Sequence, residues 1–170
     1  SHVVTENRKP KTENRHHMIR KALIQEVPEI RRMLGEFALD GGILPRTLAD
    51  LYSLMRDYFV YREDPDGPVI GVAALHICWE AWGEVRSVAV AQDYQGRGIG
   101  THLVESCLTE ARSLGLKTVF CLTLRPEFFQ RFGFKVVSRE DLLPIVWADC
   151  VNCVKFPDCD EIPMVLDLKP

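Results

Sequence analysis

The glycine-rich turn Gln95–Gly100 is the feature that most constrains how this 170-residue chain can fold. The residues just before it, 85–90, are rich in valine, which favours a strand. After it, apolar residues recur at helical spacing as far as Gly115, a residue typical of a helix C-terminus. The sequence therefore predicts a strand, a tight turn and a helix that begins at the glycines.

A turn of this kind is a predicted anion-binding site. Glycines leave main-chain N–H groups uncovered, and the first turn of a helix has donors without an internal partner at the positive end of the helix dipole. Phosphate is the expected ligand. A P-loop would need a Lys-Ser/Thr pair and a dinucleotide fingerprint needs Gly-x-Gly-x-x-Gly, whereas this turn has the order Gln-x-x-Gly-x-Gly. The alternative is a turn that only connects strand and helix and binds nothing.

Composition restricts the class of protein. With 46% hydrophobic and 26% charged residues, we expect one globular domain over residues 18–170. A net charge of -3 gives no footprint for nucleic acid or for an anionic membrane. No apolar run resembles a membrane span or a signal peptide, so a cytoplasmic location is expected. Residues 1–17 are polar and are predicted to be a disordered tail or residues added for expression.

The rest of the chain predicts a mixed α/β sheet with helices on both faces. Before the turn come a strand, two helices and a β-hairpin. After its helix come a strand, a short helix and two strands, the last of which is expected to close the sheet. Residues 141–160 show no regular pattern. The predicted strands are 18–22, 59–62, 69–75, 85–90, 118–124, 134–137 and 162–168, and Thr47 with Asp50 predicts a capping box at the start of the second helix.

Four stretches of the chain resemble the Gcn5-related N-acetyltransferase (GNAT) family, over about Ile19 to Leu168. They are the turn itself, residues 83–90 before it, residues 119–123 after its helix, and Phe128–Phe134, which matches the aromatic-aromatic-x-x-x-Gly-Phe pattern of the family. Within the family, residues 43–46 and 150–161 look like the short, single-domain N-acetylglutamate synthases. The resemblance implies the GNAT-type acyl-CoA N-acyltransferase fold.

The resemblance also implies that acetyl-CoA is the co-substrate and that no metal is required. In this family the strand before the turn holds the pantetheine arm and polarises the thioester, and the turn holds the pyrophosphate. The residues that the resemblance assigns to the cofactor are Val88, Ala89, Val90, Gln95, Gly96, Arg97, Gly98, Ile99, Gly100, Thr101 and Phe129.

Glu84 is the predicted catalytic base. An α-ammonium group must lose a proton before it can attack a thioester, and related acetyltransferases carry a glutamate at this strand position. Since side chains alternate along a strand, Glu84 and Arg86 are expected on one face, where the acceptor would bind. The alternative for Glu84 is a solvated carboxylate at a sheet edge.

An acidic amino acid needs cations, and arginine best matches a carboxylate. Arg46, in the loop between the first two helices, is the first candidate. Arg86 and Lys155 follow, and Leu44 is expected to offer a backbone contact. Each cation could instead be a surface charge, and Arg86 could be a partner of Glu84.

Three further features leave alternatives open. Phe129 stands where many family members have a tyrosine that protonates the leaving thiolate, so solvent, the substrate ammonium or Tyr94 would supply that proton. Cys150, Cys153 and Cys159 have spacing that suits zinc, but no fourth ligand follows in register, and we interpret them as reduced thiols. His76 is interpreted as a structural histidine.

Together these observations predict transfer of an acetyl group from acetyl-CoA to the α-amino group of an amino acid, most simply L-glutamate, as in the first step of arginine biosynthesis. One alternative is another small amine as acceptor, such as glutamine, a polyamine or an aminoglycoside. The other is an acyl-CoA-binding regulatory module without turnover. The sequence does not decide the oligomeric state, for which we consider a homodimer.

Overall fold

The computed structural model describes residues 18–39, 43, 45–144, 146–153 and 155–169, without the side chains of Leu39 and Asp149. The predicted tail 1–17 and Leu44 lie outside these residues. The described strands are β1 (Ile19–Lys21), β2 (Tyr58–Tyr61), β3 (Gly71–Trp79), β4 (Trp82–Val90), β5 (Thr118–Thr123), β6 (Lys135–Val136) and β7 (Ile162–Asp167). The described helices are α1 (Val27–Leu39), α2 (Leu48–Leu54), α3 (Ile99–Ser113), α4 (Pro126–Gln130) and α5 (Val146–Val151).

The strands of the described residues form one mixed sheet in the order β1-β2-β3-β4-β5-β7-β6. β4 and β5 pair in parallel, and all the other neighbours pair antiparallel. The predicted mixed sheet and the hairpin of β2 and β3 are therefore confirmed. No helix in the described part of the chain has both the length and the apolar run that a membrane span requires.

Helices pack on both faces of the sheet, as predicted. The face toward α3 buries the apolar stripe of that helix, which includes Leu103, Val104 and Leu108, against Val85 and neighbouring strand residues. The opposite face packs α1 and α2 through residues such as Ile30 and Leu51. Each such side chain contributes roughly 1.5–3 kcal/mol through burial, so these two layers hold the strands in position.

Two elements differ from the prediction. Within the segment expected to be irregular, α5 forms because Val146 is buried with Phe120 and Leu142 in a small third cluster. The last strand, β7, does not close the sheet at an edge but lies between β5 and β6, with Phe120 paired to Val165. Both outcomes depend on contacts between distant segments, which local periodicity does not report.

β4 separates from β5 after only three paired residues. The parallel ladder joins Trp82–Glu84 to Thr118–Phe120 and extends no further among the described residues. Beyond Glu84 the two strands diverge and open a cleft between them. The turn after β4 and the start of α3 lie at this cleft.

A β-bulge in β4 changes which side chains face each layer. Arg86 pairs with Ala74 but Ala89 pairs with Val72, so Ser87 and Val88 together oppose a single residue of β3. Ser87 has a positive φ of 56°, which fits the extra residue of a bulge. As a result Val88 packs with the α3 layer and Ala89 with the layer of α1 and α2.

Candidate functional site

The cleft between β4 and β5 has a volume of about 1160 Å³. Such a volume is large for a ligand pocket and suits a nucleotide-sized cofactor beside a small acceptor. Most of the residues predicted for the site line it. They are Arg46, Glu84, Arg86, Val88, Ala89, Val90, Gln95, Gly96, Gly98, Ile99, Gly100, Thr101 and Phe129, together with Cys150, Cys153 and Cys159.

Two predicted site residues that the structure describes, Arg97 and Lys155, are not in the lining. Leu44 lies outside the described residues. Arg97 donates from Nη2 to the Asp93 carbonyl at 3.0 Å, and its guanidinium stacks on the Tyr94 ring. Lys155 lies 3.8 Å from a carboxylate oxygen of Asp160 and of Glu161, so its charge is balanced within its own loop.

The glycine-rich turn has the backbone geometry of an anion site. Gly96 and Gly98 adopt φ values of 75° and 80°, which glycine accepts without steric cost, and Gly98 is the N-cap residue of α3. The first intrahelical bond runs from the His102 amide to the Gly98 carbonyl at 3.1 Å. The amides of Ile99, Gly100 and Thr101 therefore have no intrahelical acceptor, and they point from the positive end of a fifteen-residue helix.

The turn is attached to the end of β4 by a side chain. Gln95 donates from Nε2 to the Val90 carbonyl at 3.0 Å, and the amide of Ala91 donates to the Ile70 carbonyl at 2.9 Å. The first of these bonds connects the bulged strand to the turn that leads into α3, and the second connects the end of β4 to the residue before β3. A ligand that contacts both the strand and the turn would meet a prepared surface.

Glu84 and Arg86 share one face of β4, as predicted. Glu84 Oε2 lies 3.5 Å from Arg86 Nη1, and the two side chains are only 14% and 9% exposed. Both line the cleft. The alternative of a solvated edge carboxylate does not describe Glu84, whereas the alternative that Arg86 partners Glu84 does fit.

His76 faces the same part of the cleft from the neighbouring strand. It pairs directly with Glu84 in the antiparallel register of β3 and β4. Its Nδ1 lies 2.6 Å from Oδ2 of Asp57, in the turn that precedes β2. This contact is compatible with the interpretation of His76 as a structural histidine, but the residue also lines the cleft.

Arg46 reaches the cleft from the chain that precedes α2. The loop is held because Thr47 caps α2, with its Oγ1 accepting from the Asp50 amide at 3.1 Å, as the sequence predicted. Among the described residues no carboxylate oxygen lies within 4 Å of the Arg46 guanidinium. The Arg46 side chain lines the cleft without a carboxylate partner from that part of the chain.

Cys150, Cys153 and Cys159 line the cleft, as does Cys78. Burial raises the pKa of Cys150 to about 11, and the negative charge of Glu84 adds to this shift. In the part of the chain that the structure describes, no group of three or more His, Cys, Asp or Glu side chains is placed to hold a metal ion. Cys107 and Cys121 are buried and free, and burial raises the pKa of both.

Phe129 supports the wall of the cleft rather than its chemistry. Its ring is buried and packs edge-on against Phe128 and Phe134, with centroids 5.1 and 5.4 Å away. A phenylalanine has no proton to donate. Tyr94 lines the cleft and is the phenol nearest in sequence to the turn, so it remains one of the predicted alternatives.

Sequence reasoning missed several cations of the cleft. Arg125 and Arg131 flank the short helix α4, are exposed, and line the cleft beside Phe128, over whose ring the Arg131 guanidinium stacks at 4.9 Å. Arg139 also lines the cleft and donates to the carbonyl of Cys159 at 2.7 Å. Arg125 directly follows a predicted buried strand, and this position was the one local feature of the sequence that could have indicated a cation at the cleft.

Comparison with known proteins agrees with this geometry. The profile of the acetyltransferase (GNAT) family matches residues 30–134. An amino-acid acetyltransferase of Mycobacterium tuberculosis is 41% identical over 124 residues, which cover 71% of this chain and 70% of that protein. An uncharacterized N-acetyltransferase of Chlorobaculum tepidum is 36% identical over 150 residues, which cover 88% of this chain and 96% of that protein.

Solved structures show the same fold. Rv2747 from Mycobacterium tuberculosis, solved in complex with CoA, has a TM-score of 0.76 at 31% identity and covers 89% of this chain and 99% of its own. An N-acetylglutamate synthase from Neisseria gonorrhoeae, complexed with coenzyme A and N-acetyl-glutamate, has a TM-score of 0.80 at 25% identity, and the match covers 89% of this chain and 35% of that one. The diverging strands, the glycine turn and these matches together show that the chain belongs to the acetyltransferase (GNAT) family.

Proposed function

We propose that this protein transfers the acetyl group of acetyl-CoA to the α-amino group of an amino acid, with L-glutamate as the acceptor. The observation that carries the proposal is that one cleft contains both the unpaired amides at the start of α3 and the face with Glu84 and Arg86. An anion site and a carboxylate base therefore share a single volume. Relatives named amino-acid acetyltransferase support the acceptor class.

The cofactor end of the cleft is assigned to the turn. The amides of residues 98–101 would bind the pyrophosphate, because a helix N-terminus favours anions. The backbone of β4 beyond Glu84, where pairing with β5 has ended, would bind the pantetheine arm and polarise the thioester carbonyl. Arg125 and Arg131 add positive charge on the same side as α4.

The acceptor end is assigned to the Glu84 face. Glu84 would take a proton from the substrate amine, directly or through water, and Arg86 would hold that carboxylate in position. Arg46 would bind the side-chain carboxylate of the amino acid through two charge-assisted hydrogen bonds. The amine nitrogen attacks the thioester carbon, the carbon–sulfur bond breaks, and the thiolate takes a proton from Tyr94 or solvent.

The two alternatives make different demands on this site. A polyamine or aminoglycoside acceptor requires an acidic pocket, yet Arg46 has no carboxylate partner among the described residues and Arg86 also lines the cleft. A regulatory module without turnover has no use for a carboxylate held at 14% exposure beside an anion site. Both features favour an enzyme with an anionic acceptor.

Release of free thiol from acetyl-CoA tests the proposal. The purified protein is assayed with glutamate, glutamine, aspartate, spermidine and kanamycin at equal concentrations. We expect the largest kcat/KM for glutamate. A larger value for spermidine or kanamycin would overturn the acceptor assignment, and no release with any amine, despite CoA binding by calorimetry, would favour the regulatory module.

A further inference from the structure

Amine acetylation leaves one proton to be removed in every turnover. An α-ammonium and acetyl-CoA give an amide, a neutral thiol and one free proton, so the base must pass a proton to solvent before the next cycle. This need arises only under the proposed function, on which the inference rests. Glu84, at 14% exposure beside Arg86, has little direct contact with water. A side chain that connects Glu84 to solvent would serve this step.

His76 is placed to make that connection. It lies opposite Glu84 in the ladder of β3 and β4, and directly opposed side chains on one face have Cβ atoms roughly 4.5–5.5 Å apart. Both side chains line the cleft. The side chain of His76 is 25% exposed, compared with 14% for Glu84, so the imidazole is nearer to water than the carboxylate.

Asp57 determines which nitrogen of His76 can exchange the proton. The Asp57 carboxylate can only accept a hydrogen bond, so at 2.6 Å it takes the N–H of Nδ1. The neutral ring then carries its lone pair on Nε2. When Nε2 gains a proton, the same carboxylate stabilises the imidazolium. Asp57 itself is 21% exposed, slightly less than His76 at 25%.

We propose that the Asp57–His76 pair relays the proton from Glu84 to solvent. The amine proton moves to the Glu84 carboxylate, then from Glu84 to His76 Nε2, either directly or through one water. His76 Nε2 returns it to solvent, which restores the neutral imidazole and the Glu84 carboxylate. No bond other than N–H and O–H changes, and one proton is delivered for each amide formed.

Other charged groups line the same cleft as His76 and Glu84. Arg86 lies on the same face of β4 and holds Glu84, and Glu36 and Arg46 line the cleft from α1 and from the chain before α2. A purely structural role for His76 would be to attach the turn at Asp57 to β3. Loss of a structural bond would lower stability and substrate binding together, whereas loss of a proton relay would lower kcat alone.

The test compares His76→Gln and Asp57→Asn with wild type in glutamate acetylation. We expect kcat to fall about 10- to 100-fold in His76→Gln, because a positioned proton-transfer group contributes at least that much. The fall should be smaller in Asp57→Asn, which keeps the imidazole. KM for glutamate and the Kd for CoA should stay within twofold. His102→Gln is the matched control, because His102 also lies beside a carboxylate, at 3.1 Å from Glu105, but outside the cleft lining.

Two further measurements separate a relay from a structural bond. Added imidazole should restore part of kcat in His76→Ala but not in Glu84→Gln. In a protein that already carries Glu84→Gln, adding His76→Gln should lower kcat little further, because the two residues act in series. A kcat within twofold of wild type in His76→Gln would overturn the relay. A loss of kcat that accompanies a lower Tm, with no rescue of His76→Ala by imidazole, would overturn it as well. Wild-type protein that acetylates no amine would instead overturn the proposed function.

Discussion

At the scale of single residues, the site depends on a carboxylate that is held rather than solvated. Glu84 lies beside Arg86, opposite His76 and within the same cleft as the α3 amides. Its role as the base can be tested without disturbing the fold, because glutamine has nearly the same size. Arg46 offers the second test, since its guanidinium is not neutralised by any described carboxylate.

Glu84→Gln should lower kcat for glutamate about 100-fold or more, because general base catalysis contributes roughly 10²–10⁴. CoA affinity should remain within twofold, as the anion site is unaltered. Steady-state kinetics and calorimetry measure the two effects. Glu80→Gln, an exposed change in the hairpin between β3 and β4, is the control and should behave as wild type. Unchanged turnover in Glu84→Gln would remove Glu84 from the reaction.

Arg46→Ala should raise KM for glutamate about 10- to 100-fold, because a hydrogen bond to a charged group contributes roughly 1.5–3 kcal/mol. KM for acetyl-CoA should change little. Arg46→Lys keeps the charge but loses the planar pair of donors, and an intermediate KM is expected. Equal effects of Arg46→Ala on both substrates would mean that this loop supports the whole cleft rather than the acceptor.

At the scale of elements, the site is built by a strand that leaves its neighbour and a helix that begins where it leaves. The ladder between β4 and β5 ends at Glu84, the bulge follows at Ser87, and α3 starts after Gly98. The backbone itself provides the binding groups there. A substitution that changes the backbone conformation of the turn therefore tests whether its main-chain amides bind the cofactor.

Gly98→Val should weaken CoA binding about tenfold or more and leave glutamate binding nearly intact. Valine at a φ of 80° is strained and would displace the amides of the turn. Gly115→Val is the matched control, because Gly115 has a φ of 79° at the other end of α3 and, as at Gly98, an added Cβ would meet no atom of a more distant residue within 4 Å. Both variants should lose similar stability, about 1–2 kcal/mol. If Gly98→Val and Gly115→Val lose CoA affinity equally, the loss is due to misfolding and not to the turn.

At the scale of the whole molecule, a buried ionic network joins β1, α1 and the end of β2. Glu26 is 2% exposed and accepts hydrogen bonds from Arg20 at 2.7 and 2.9 Å, from Arg62 at 2.9 Å and from the Leu23 amide at 2.8 Å. Arg62 also donates to Glu29 at 2.8 Å. Burial alone would raise the pKa of Glu26, but the bonds from Arg20, Leu23 and Arg62 hold it at about 2.

This network predicts how stability depends on pH. Because the pKa of Glu26 in the folded protein lies below its ordinary value of 4.5, its contribution is complete above about pH 4.5 and is lost as the pH falls toward about 2. Glu26→Ala should lower the free energy of unfolding by roughly 1.5–3 kcal/mol at pH 7, because it removes the buried acceptor of the bonds from Arg20, Leu23 and Arg62, while Arg62 keeps its bond to Glu29. Urea unfolding at pH 7 and pH 3 should show a smaller pH effect in the variant than in wild type.

Glu63→Ala is the control for that measurement. Its pair with Arg97 spans 3.7 Å and is about half exposed, so a loss of at most about 1 kcal/mol is expected. A similar loss in Glu26→Ala, or an unchanged pH dependence, would mean that the network contributes little to folding stability.

The strand, turn and helix around Gly98 could be predicted from sequence because their causes are local. Two glycines permit positive φ, and the apolar stripe of α3 repeats at helical spacing whatever the rest of the chain does. The bulge was not predictable in the same way, because Ser87 is not a residue that marks positive φ and its conformation follows from pairing with β3. The position of β7 between β5 and β6 likewise depends on distant partners.

The sequence by itself determined the order of the strands and of the first four helices, the glycine turn between β4 and α3, and the presence of Glu84 and Arg86 on one face, since each follows from local backbone preference and side-chain alternation. Only the tertiary structure decided where β4 leaves β5, which cations enter the cleft, and that Asp57 meets His76 beside Glu84. The physical reason is that these contacts join segments far apart in the chain, so their geometry is set by packing of the two layers on the sheet.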